Sequence, residues 1–414
     1  MQPLLHRIAE ILAPARLGTS FRWLLASAVI NNAGDGVAVA AGPLLVASQT
    51  RDPFLVSLAL LSEYLPTILF GVIAGTAADR FDRRRIVVLV NIGRAFVLVA
   101  LVLTIVSGSV NIALVLVALF VLATAETFAD TATSSLLPGL VDRADLGVAN
   151  ARIQGGFLLS NRLLFPPIGA LLYALGAALP FVANAAAFAL SAVLVSRIAT
   201  SAPGRSDGGS GWVADTIEGV KWLMAHPPMR TLALTIITFN VTYGAAWSVL
   251  VLYAGDRLGM NEVGFGILTS AIALGGVIGM ASYGWLERHF SLGDMMRVGL
   301  LIETLTHLSL ALTTSAAVAL GTMVVFGAHT FVWGTTSTTV RQRAVPDELL
   351  GRVGAVYQIA LVGGLVLGTP IGGLLARTFG ITAPFWFGFI GSALLVAVLW
   401  RQFDYIVHAS AEPV

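Results

Sequence analysis

The stretch Gly75-Thr76-Ala77-Ala78-Asp79-Arg80-Phe81-Asp82-Arg83-Arg84-Arg85 is a polar island at the junction of two long apolar runs, Phe54 to Ala77 and Ile86 to Val106. At 1.5 Å of helical rise per residue, each run is long enough to cross a hydrocarbon core of about 30 Å. Two crossings joined by so short a loop make an antiparallel helical hairpin. Arg80, Arg83, Arg84 and Arg85 fix its side, because basic residues in short loops are retained in the cytoplasm.

Outward from this hairpin the pattern recurs. Twelve apolar segments are legible: Phe21 to Ala47, Phe54 to Ala77, Ile86 to Val106, Ile112 to Ser135, Ala149 to Leu175 and Pro180 to Ile198, then Thr231 to Tyr253, Val263 to Leu286, Met295 to Thr314, Ala316 to Thr338, Val353 to Ala376 and Ala383 to Arg401. The chain is 57% hydrophobic and 11% charged, against about 25% charged residues in a soluble globule. The expected fold is therefore an all-α, multi-pass membrane protein. With both termini cytoplasmic, only Arg51, Arg257 and Arg377 fall in outer loops, while Arg7, Arg16, Arg143, Arg205, Lys221, Arg288, Arg341 and Arg343 join the hairpin arginines inside. The formal net charge of +2 thus reports topology and implies no nucleic-acid partner.

The chain also repeats itself. A shift of 204 residues pairs Gly147 with Gly351, Gln154 with Gln358, Pro166 with Pro370, Gly169 with Gly373, Pro180 with Pro384 and Arg197 with Arg401. Nearer the start, a shift of 208 pairs Arg22 with Arg230, Asn32 with Asn240, Gly36 with Gly244 and Leu44 with Leu252. The expectation is two pseudo-symmetric six-helix bundles, 21–199 and 230–402. They follow a cytoplasmic amphipathic segment, 1–20, flank a cytoplasmic linker, 200–229, and precede a tail, 403–414. Pro3 to Leu12 places apolar residues on one helical face and is expected along the inner membrane surface. Thr200 to Gly211 reads as a flexible link, and Trp212 to Met224 as an amphipathic helix whose Trp212, Ile217, Val220 and Leu223 rest on the membrane or on the cytoplasmic ends of the spans.

The Gly75–Arg85 stretch resembles the Gly-x-x-x-Asp-Arg-x-Gly-Arg-Arg signature of the major facilitator superfamily, at the loop where that superfamily carries it. Asp82 stands where the signature has its second glycine. The resemblance implies a gating loop of Gly75, Asp79, Arg80, Arg83 and Arg84, with Asp79 capping a helix or pairing with an arginine and the basic residues holding membrane lipids. Phe165-Pro166-Pro167-Ile168-Gly169-Ala170 and its duplicate Gly368-Thr369-Pro370-Ile371-Gly372-Gly373 look like the Gly-Pro-x-x-Gly-Gly motif of exporters. The run Ala132 to Asn150 is similar to the twelve-span drug/proton antiporters that include macrolide and multidrug efflux pumps and the enterobactin exporter. What these resemblances imply is alternating access between two like-oriented halves around a site near the midplane.

Charged residues at membrane depth mark where such a machine works. Ser27, Asn31 and Asp35 recur every four residues on one stripe of the first span, and Asn32 adjoins them. A carboxylate at the bilayer centre costs at least about 2.5–3.5 kcal/mol, and the duplicate of Asp35 is Tyr243. Asp35 is thus the first candidate for proton coupling. Glu126 and Glu63 are further candidates, with Arg162 as the expected partner of one of these acids; Asp130, nearer the cytoplasm, has Arg94 or the Asp79 loop within reach instead. The second half supplies Asn240, Tyr243 and Trp247, His329 and Trp333, and Tyr357 with Gln358. That wall suits flat or cationic amphipathic compounds through stacking and cation–π contact. Glu303 and His307 read as a local pair one turn apart.

The chemistry expected is transport, with no enzymatic activity. Cysteine is absent, no His-Glu-x-x-His occurs and the six histidines form no metal-spaced cluster, so no metal or other cofactor is expected. No phosphate-binding Gly-x-x-x-x-Gly-Lys loop occurs either, which leaves the proton gradient as driver. The expected partners are protons, membrane lipids and a small amphipathic substrate, the chain acting as a monomer in the bacterial inner membrane. The other open reading is an exporter of a native metabolite such as a siderophore or lipid, which leans on Arg162.

Overall fold

The structure, a computed structural model, describes residues 15–199 and 212–403. The expected surface segment Pro3 to Leu12, the linker Thr200 to Gly211 and the tail residues 404–414 lie outside the described residues.

Every regular element among the described residues is helical. Six helices precede the linker: α1 Gly18–Gln49, α2 Pro53–Arg80, α3 Arg83–Val106, α4 Ile112–Leu136, α5 Arg143–Leu175 and α6 Leu179–Ser196. After it come α7 Trp212–Ala225, α8 Pro227–Trp247, α9 Leu250–Arg257, α10 Glu262–His289, α11 Leu292–Leu312, α12 Ala316–Ala344, α13 Asp347–Phe379 and α14 Ala383–Leu399. Ten of these are long and apolar enough to cross a membrane, and α8 with α9, bent by 44° at their joint, make an eleventh. The twelfth expected span, Ala383 to Arg401, is helical for 17 residues, about 25 Å of rise.

Helix starts follow local chemistry. Asp82 is the N-cap of α3, its carboxylate accepting from the backbone N–H of Arg84 at 2.9 Å and of Arg85 at 3.2 Å. This accounts for the departure from the glycine of the signature: the position starts a helix and satisfies two donors that have no partner inside it. Asn111, Ser291 and Ser315 cap α4, α11 and α12 in the same way. In α3 the periodicity is that of a membrane helix: Val87, Asn91, Arg94, Leu98 and Leu101 form the buried stripe, while Leu89, Phe96 and Leu103 are exposed.

Two expected spans are interrupted. Pro166 and Pro167 have no N–H to give to the carbonyls four residues back, and the turn just before them, Leu158–Leu164, opens into a π-helix. The seventh span, expected as one run from Thr231 to Tyr253, breaks after Trp247 and continues through a second π turn, Tyr253–Arg257.

The chain divides into two compact units. The first comprises Met1–Gln49, Leu65–Asp207 and Glu262–Ile267; the second comprises Thr50–Tyr64, Gly208–Asn261 and Leu268–Val414. At one end of the first unit, Phe21, Leu24 and Leu25 of α1 pack with Val87, Leu136, Ala149 and Val195. In the second, Leu232, Met296, Leu300, Trp333, Val353 and Tyr357 form the matching core. The amphipathic α7 lies on α13: Leu223 enters this core, Glu218 pairs with Arg352 at 2.7 Å, and Ile217 and Val220 stay exposed.

Within each unit, glycines set the helix spacing. A Cβ on Gly36 would strike Ser160 O and Asn161 Cα of α5, and one on Gly244 would strike Leu365 O and Cα of α13. Asn161 and Leu365 are themselves equivalent at the shift of 204, so the repeat seen in sequence is a repeat of contacts.

Candidate functional site

In the first unit, three charged side chains from the middles of three helices converge. Arg94 of α3 is 2% exposed; its Nη2 donates to Asp35 Oδ1 of α1 at 2.7 Å and stands 3.6 Å from Glu126 Oε2 of α4. The guanidinium lies 3.9 Å from the centroid of the Phe188 ring, from α6. Asn31 Nδ2 donates to the second oxygen of Asp35 at 3.2 Å. Below them Ser27 and Ser191 share a hydrogen bond of 2.7 Å, and Asn91 donates to Ser191 at 3.1 Å. Asn32 is turned back onto its own helix, donating to Ala28 O.

Exposure rises across the site, from 2% at Arg94 to 12% at Asp35 and 39% at Glu126. The cluster therefore opens on the Glu126 side, where Asp130 follows one turn along the same helix. One guanidinium faces two carboxylates, and its Nε and Nη1 make no hydrogen bond to the protein. The trio is electrically neutral when one acid carries a proton. Arg94, the residue at the centre, was legible by the rule that singled out Asp35: an arginine midway through the apolar run Ile86 to Val106.

Arg94 is the arginine that reaches Asp35 and Glu126; Arg162, expected from the sequence beside one of the acids, lies in the π turn of α5 with its guanidinium 5.6 Å from the Phe157 ring centroid. Glu63 belongs to the part of α2 grouped with the second unit.

In the loop, Asp79 is half exposed and 3.9 Å from Arg83. Arg83 donates to Ala78 O at 3.0 Å and Ser135 O at 2.9 Å, tying the ends of α2 and α4. Arg84 donates to Ile198 O at 2.8 Å, just past the end of α6. These are cations on the carbonyl-rich ends of helices, where the macrodipole favours them. Arg80 is exposed, and a Cβ on Gly75 would meet nothing within 4 Å.

The second unit gathers the aromatic residues. Tyr243 and Trp247 stack at 4.3 Å, Phe326 lies 4.8 Å from Trp247, and His329 and Trp333 meet edge to face at 6.0 Å. Asn240 donates to Ile236 O, under Gly364 of α13. Tyr357 is buried with its hydroxyl 2.7 Å from Ser337 Oγ and the Arg341 guanidinium 3.7 Å over its ring, whereas Gln358 is exposed.

Solved structures share this fold. The nucleoside transporter NupG superposes with a TM-score of 0.72 at 12% identity, covering 94% of this chain and 99% of its own. An inward-facing bacterial homologue of the iron transporter ferroportin gives 0.72 at 16%, covering 95% and 99%. By length and composition these helices are those of a multi-pass membrane protein, with ionisable groups buried at mid-helix.

The sequence comparisons narrow the class to a family. A profile described as transmembrane secretion effector matches residues 9–410, and the chain belongs to that family of the major facilitator superfamily. The multidrug efflux pump Tap of Mycobacterium tuberculosis is 30% identical over 383 residues, 89% of each chain. Tap of Mycolicibacterium fortuitum is 29% identical over 380 residues, 87% of this chain and 90% of its own. The enterobactin exporter EntS of Shigella boydii is 24% identical over 379 residues, 87% and 89%.

Proposed function

We propose that this transporter is a proton-coupled exporter of amphipathic or cationic compounds, working by alternating access in the bacterial inner membrane. In this reading the chain crosses the membrane twelve times, in two six-helix halves around 21–199 and 230–402, with both termini cytoplasmic, and acts as a monomer. The observation that carries it is the unequal charge of the first-unit cluster: one buried arginine between Asp35 and Glu126.

Buried charges are costly unless paired, so the cluster takes up one proton or one external cation to reach neutrality. A cationic substrate entering on the Glu126 side competes with that proton. Loading from the cytoplasm expels the proton, and reprotonation from outside expels the substrate, which is antiport. An inward proton is driven by about 2.3 kcal/mol per 100 mV of membrane potential and an outgoing monovalent cation is opposed by as much, so a one-for-one exchange is driven by the pH difference. The Tap relatives support a drug as cargo. Tyr243, Trp247, His329 and Trp333, with Asn31, Asn32, Asn240, Tyr357 and Gln358, are the groups proposed to meet it, and the loop from Gly75 to Arg84 to gate the cytoplasmic side.

The test is reconstitution in vesicles containing a pH-sensitive dye, with an imposed proton gradient and added ethidium. The expected result is substrate-dependent proton movement in the wild type that is absent in Asp35→Asn. A folded wild type that moves no protons with any lipophilic cation would sink the drug reading. It would favour an anionic metabolite leaning on Arg162, the chemistry that the name of EntS suggests.

A further inference from the structure

The second unit holds a cluster of ionisable groups of which the scheme above uses His329 alone, and that as a contact for cargo. Glu303 and His307 stand one turn apart near the middle of α11, and both are completely enclosed. His307 Nε2 is 3.0 Å from Glu303 Oε1, and His329 Nε2, from the middle of α12, is 3.7 Å from Glu303 Oε2. The sequence shows the first pair and not the third member, because His329 comes from another helix.

The surroundings decide what this cluster can be. On α11 itself the other charged residues are Asp294 and Arg297, paired with each other at 3.0 Å in the first turns. From α14, Gly388 packs on the His307 ring, and that helix carries no ionisable side chain. From α8 comes Trp247, its ring edge-on to His307 at 6.0 Å, with Tyr243 stacked behind it and Arg230 near the helix's start. From α9, Tyr253 donates to Leu310 O, and Arg257 to Leu312 O and Thr313 O, at the far end of α11; Asp256 pairs there with Arg51. On α12, Arg341 and Arg343 lie three turns or more beyond His329, Arg341 against Tyr357 and Arg343 against Glu287. Helix α10, packed on α12 through Gly275 and Gly279, adds Tyr283, with Glu287, Arg288 and His289 at its end.

Among the described residues, then, no lysine or arginine of these helices stands beside Glu303. A lone carboxylate at this depth costs at least about 2.5–3.5 kcal/mol, and the groups at hand to cancel its charge are two imidazoles and its own proton. We infer that Glu303, His307 and His329 form a second proton-binding site of this transporter, holding one exchangeable proton between carboxylate and imidazole. The cluster is neutral with that proton on Glu303, or on His307 as an imidazolium paired with the carboxylate. Glu303 Oε2, His307 Nδ1 and His329 Nε2 make no hydrogen bond to the protein, so donor and acceptor positions remain for passing it on. A proton reaching His329 makes it an imidazolium, whose Nε2–H passes to the Glu303 carboxylate and leaves the imidazole neutral; the Glu303 carboxyl then gives a proton to Nε2 of neutral His307 and is a carboxylate again. The N–H of His307 Nδ1 then leaves its proton to the next acceptor, and no electron changes place. The proposal holds whether or not Asp35 couples transport.

Two indoles report on the site, since a protonated imidazole quenches a neighbouring tryptophan. Trp247 lies edge-on to His307, and Trp333 edge-on to His329, each pair with centroids 6.0 Å apart. The experiment is a fluorescence titration of the purified full chain in lipid nanodiscs, over about pH 5–8 where histidine charge changes are observed. Wild type, Trp247→Phe, His307→Gln and Glu303→Gln are compared, each also in the Asp35→Asn background. Trp222 on His226 and Trp285 on His289 also stack, so the readout is the Trp247-dependent component of the acid-induced quench; it is expected to be absent in Trp247→Phe, lost in His307→Gln and in Glu303→Gln, and retained in Asp35→Asn. Absence of a Trp247-dependent component, or its survival in both His307→Gln and Glu303→Gln, overturns the site. If those two variants do not fold, [15N]histidine spectra of the unmutated chain decide. A buried imidazole whose charge follows the external pH supports the proposal, and buried imidazoles that stay neutral throughout overturn it. Because the Asp35→Asn background is measured separately, failure of this site and failure of the Asp35 scheme are distinguishable.

Discussion

Arg94 is worth more to the first unit than either acid it serves. Replacing Asp35 by Asn leaves the guanidinium with Glu126, whereas replacing Arg94 by Met leaves two carboxylates facing each other with Asp130 one turn away. Removing one partner of a buried pair costs roughly 3–5 kcal/mol. Arg94→Met should therefore lower thermal stability by about that amount, Asp35→Asn by less, and the double variant should recover part of the loss; melting curves in detergent check this order. At Asp82 the expectation is smaller. Asp82→Ala should cost about 1 kcal/mol by removing the N-cap of α3, and Asp82→Gly only a few tenths, because glycine tolerates the position. A larger loss with glycine than with alanine would show that the carboxylate is not acting as a cap. At this scale an ionisable residue inside an apolar run, such as Asp35, is legible in the sequence, but its neighbour on a distant helix is not: Arg94 and Arg162 are both arginines at depth, and spacing along the chain does not say which of them turns toward Asp35.

Helix by helix, the duplicated motif Gly368-Thr369-Pro370-Ile371-Gly372-Gly373 is explained by contact. Gly364, Gly368 and Gly372 follow one stripe of α13 and lie directly against the backbone of α8 at Ile237, Val241 and Ala245. A side chain on that stripe has no room, and overpacking typically costs 1–3 kcal/mol. Gly368→Val should fall at or above the top of that range and reduce the yield of folded protein, while Gly363→Val, whose Cβ would meet nothing within 4 Å, should be neutral. Equal effects of the two would refute the packing account. Helix existence and pairing were legible because the apolar runs are long and the glycines and prolines recur at fixed shifts. The interruptions were not: a run of apolar residues looks the same whether its hydrogen-bond ladder is α or π, so neither the 44° joint after Trp247 nor the wide turn at Leu158–Leu164 leaves a mark in the hydropathy.

For the molecule as a whole, membership of the secretion effector family places the work at the membrane, and the energy source is the property to test. An uncoupler that collapses the proton gradient should stop export of a lipophilic cation, and depletion of ATP at a maintained gradient should leave it running. Export that follows ATP would rule out the proton scheme. The all-helical, multi-pass architecture was legible, because hydropathy and internal repetition are properties of the entire chain. The candidate site was only half legible: which side chains are ionisable at depth can be counted from sequence, but which of them meet depends on how helices rotate about their own axes.

The wide turn in α5 also sets a local timescale. With no N–H on Pro166 or Pro167, the carbonyls of Arg162 and Leu163 lack their regular ladder donors, and the segment beside Gly36 is held by packing more than by its own hydrogen bonds. Backbone amides from Leu158 to Leu164 should therefore trade hydrogen for deuterium sooner than those of α3 at equal depth. The fifth span would thus behave as two stiff rods with a soft joint, and Arg162 rides on the joint.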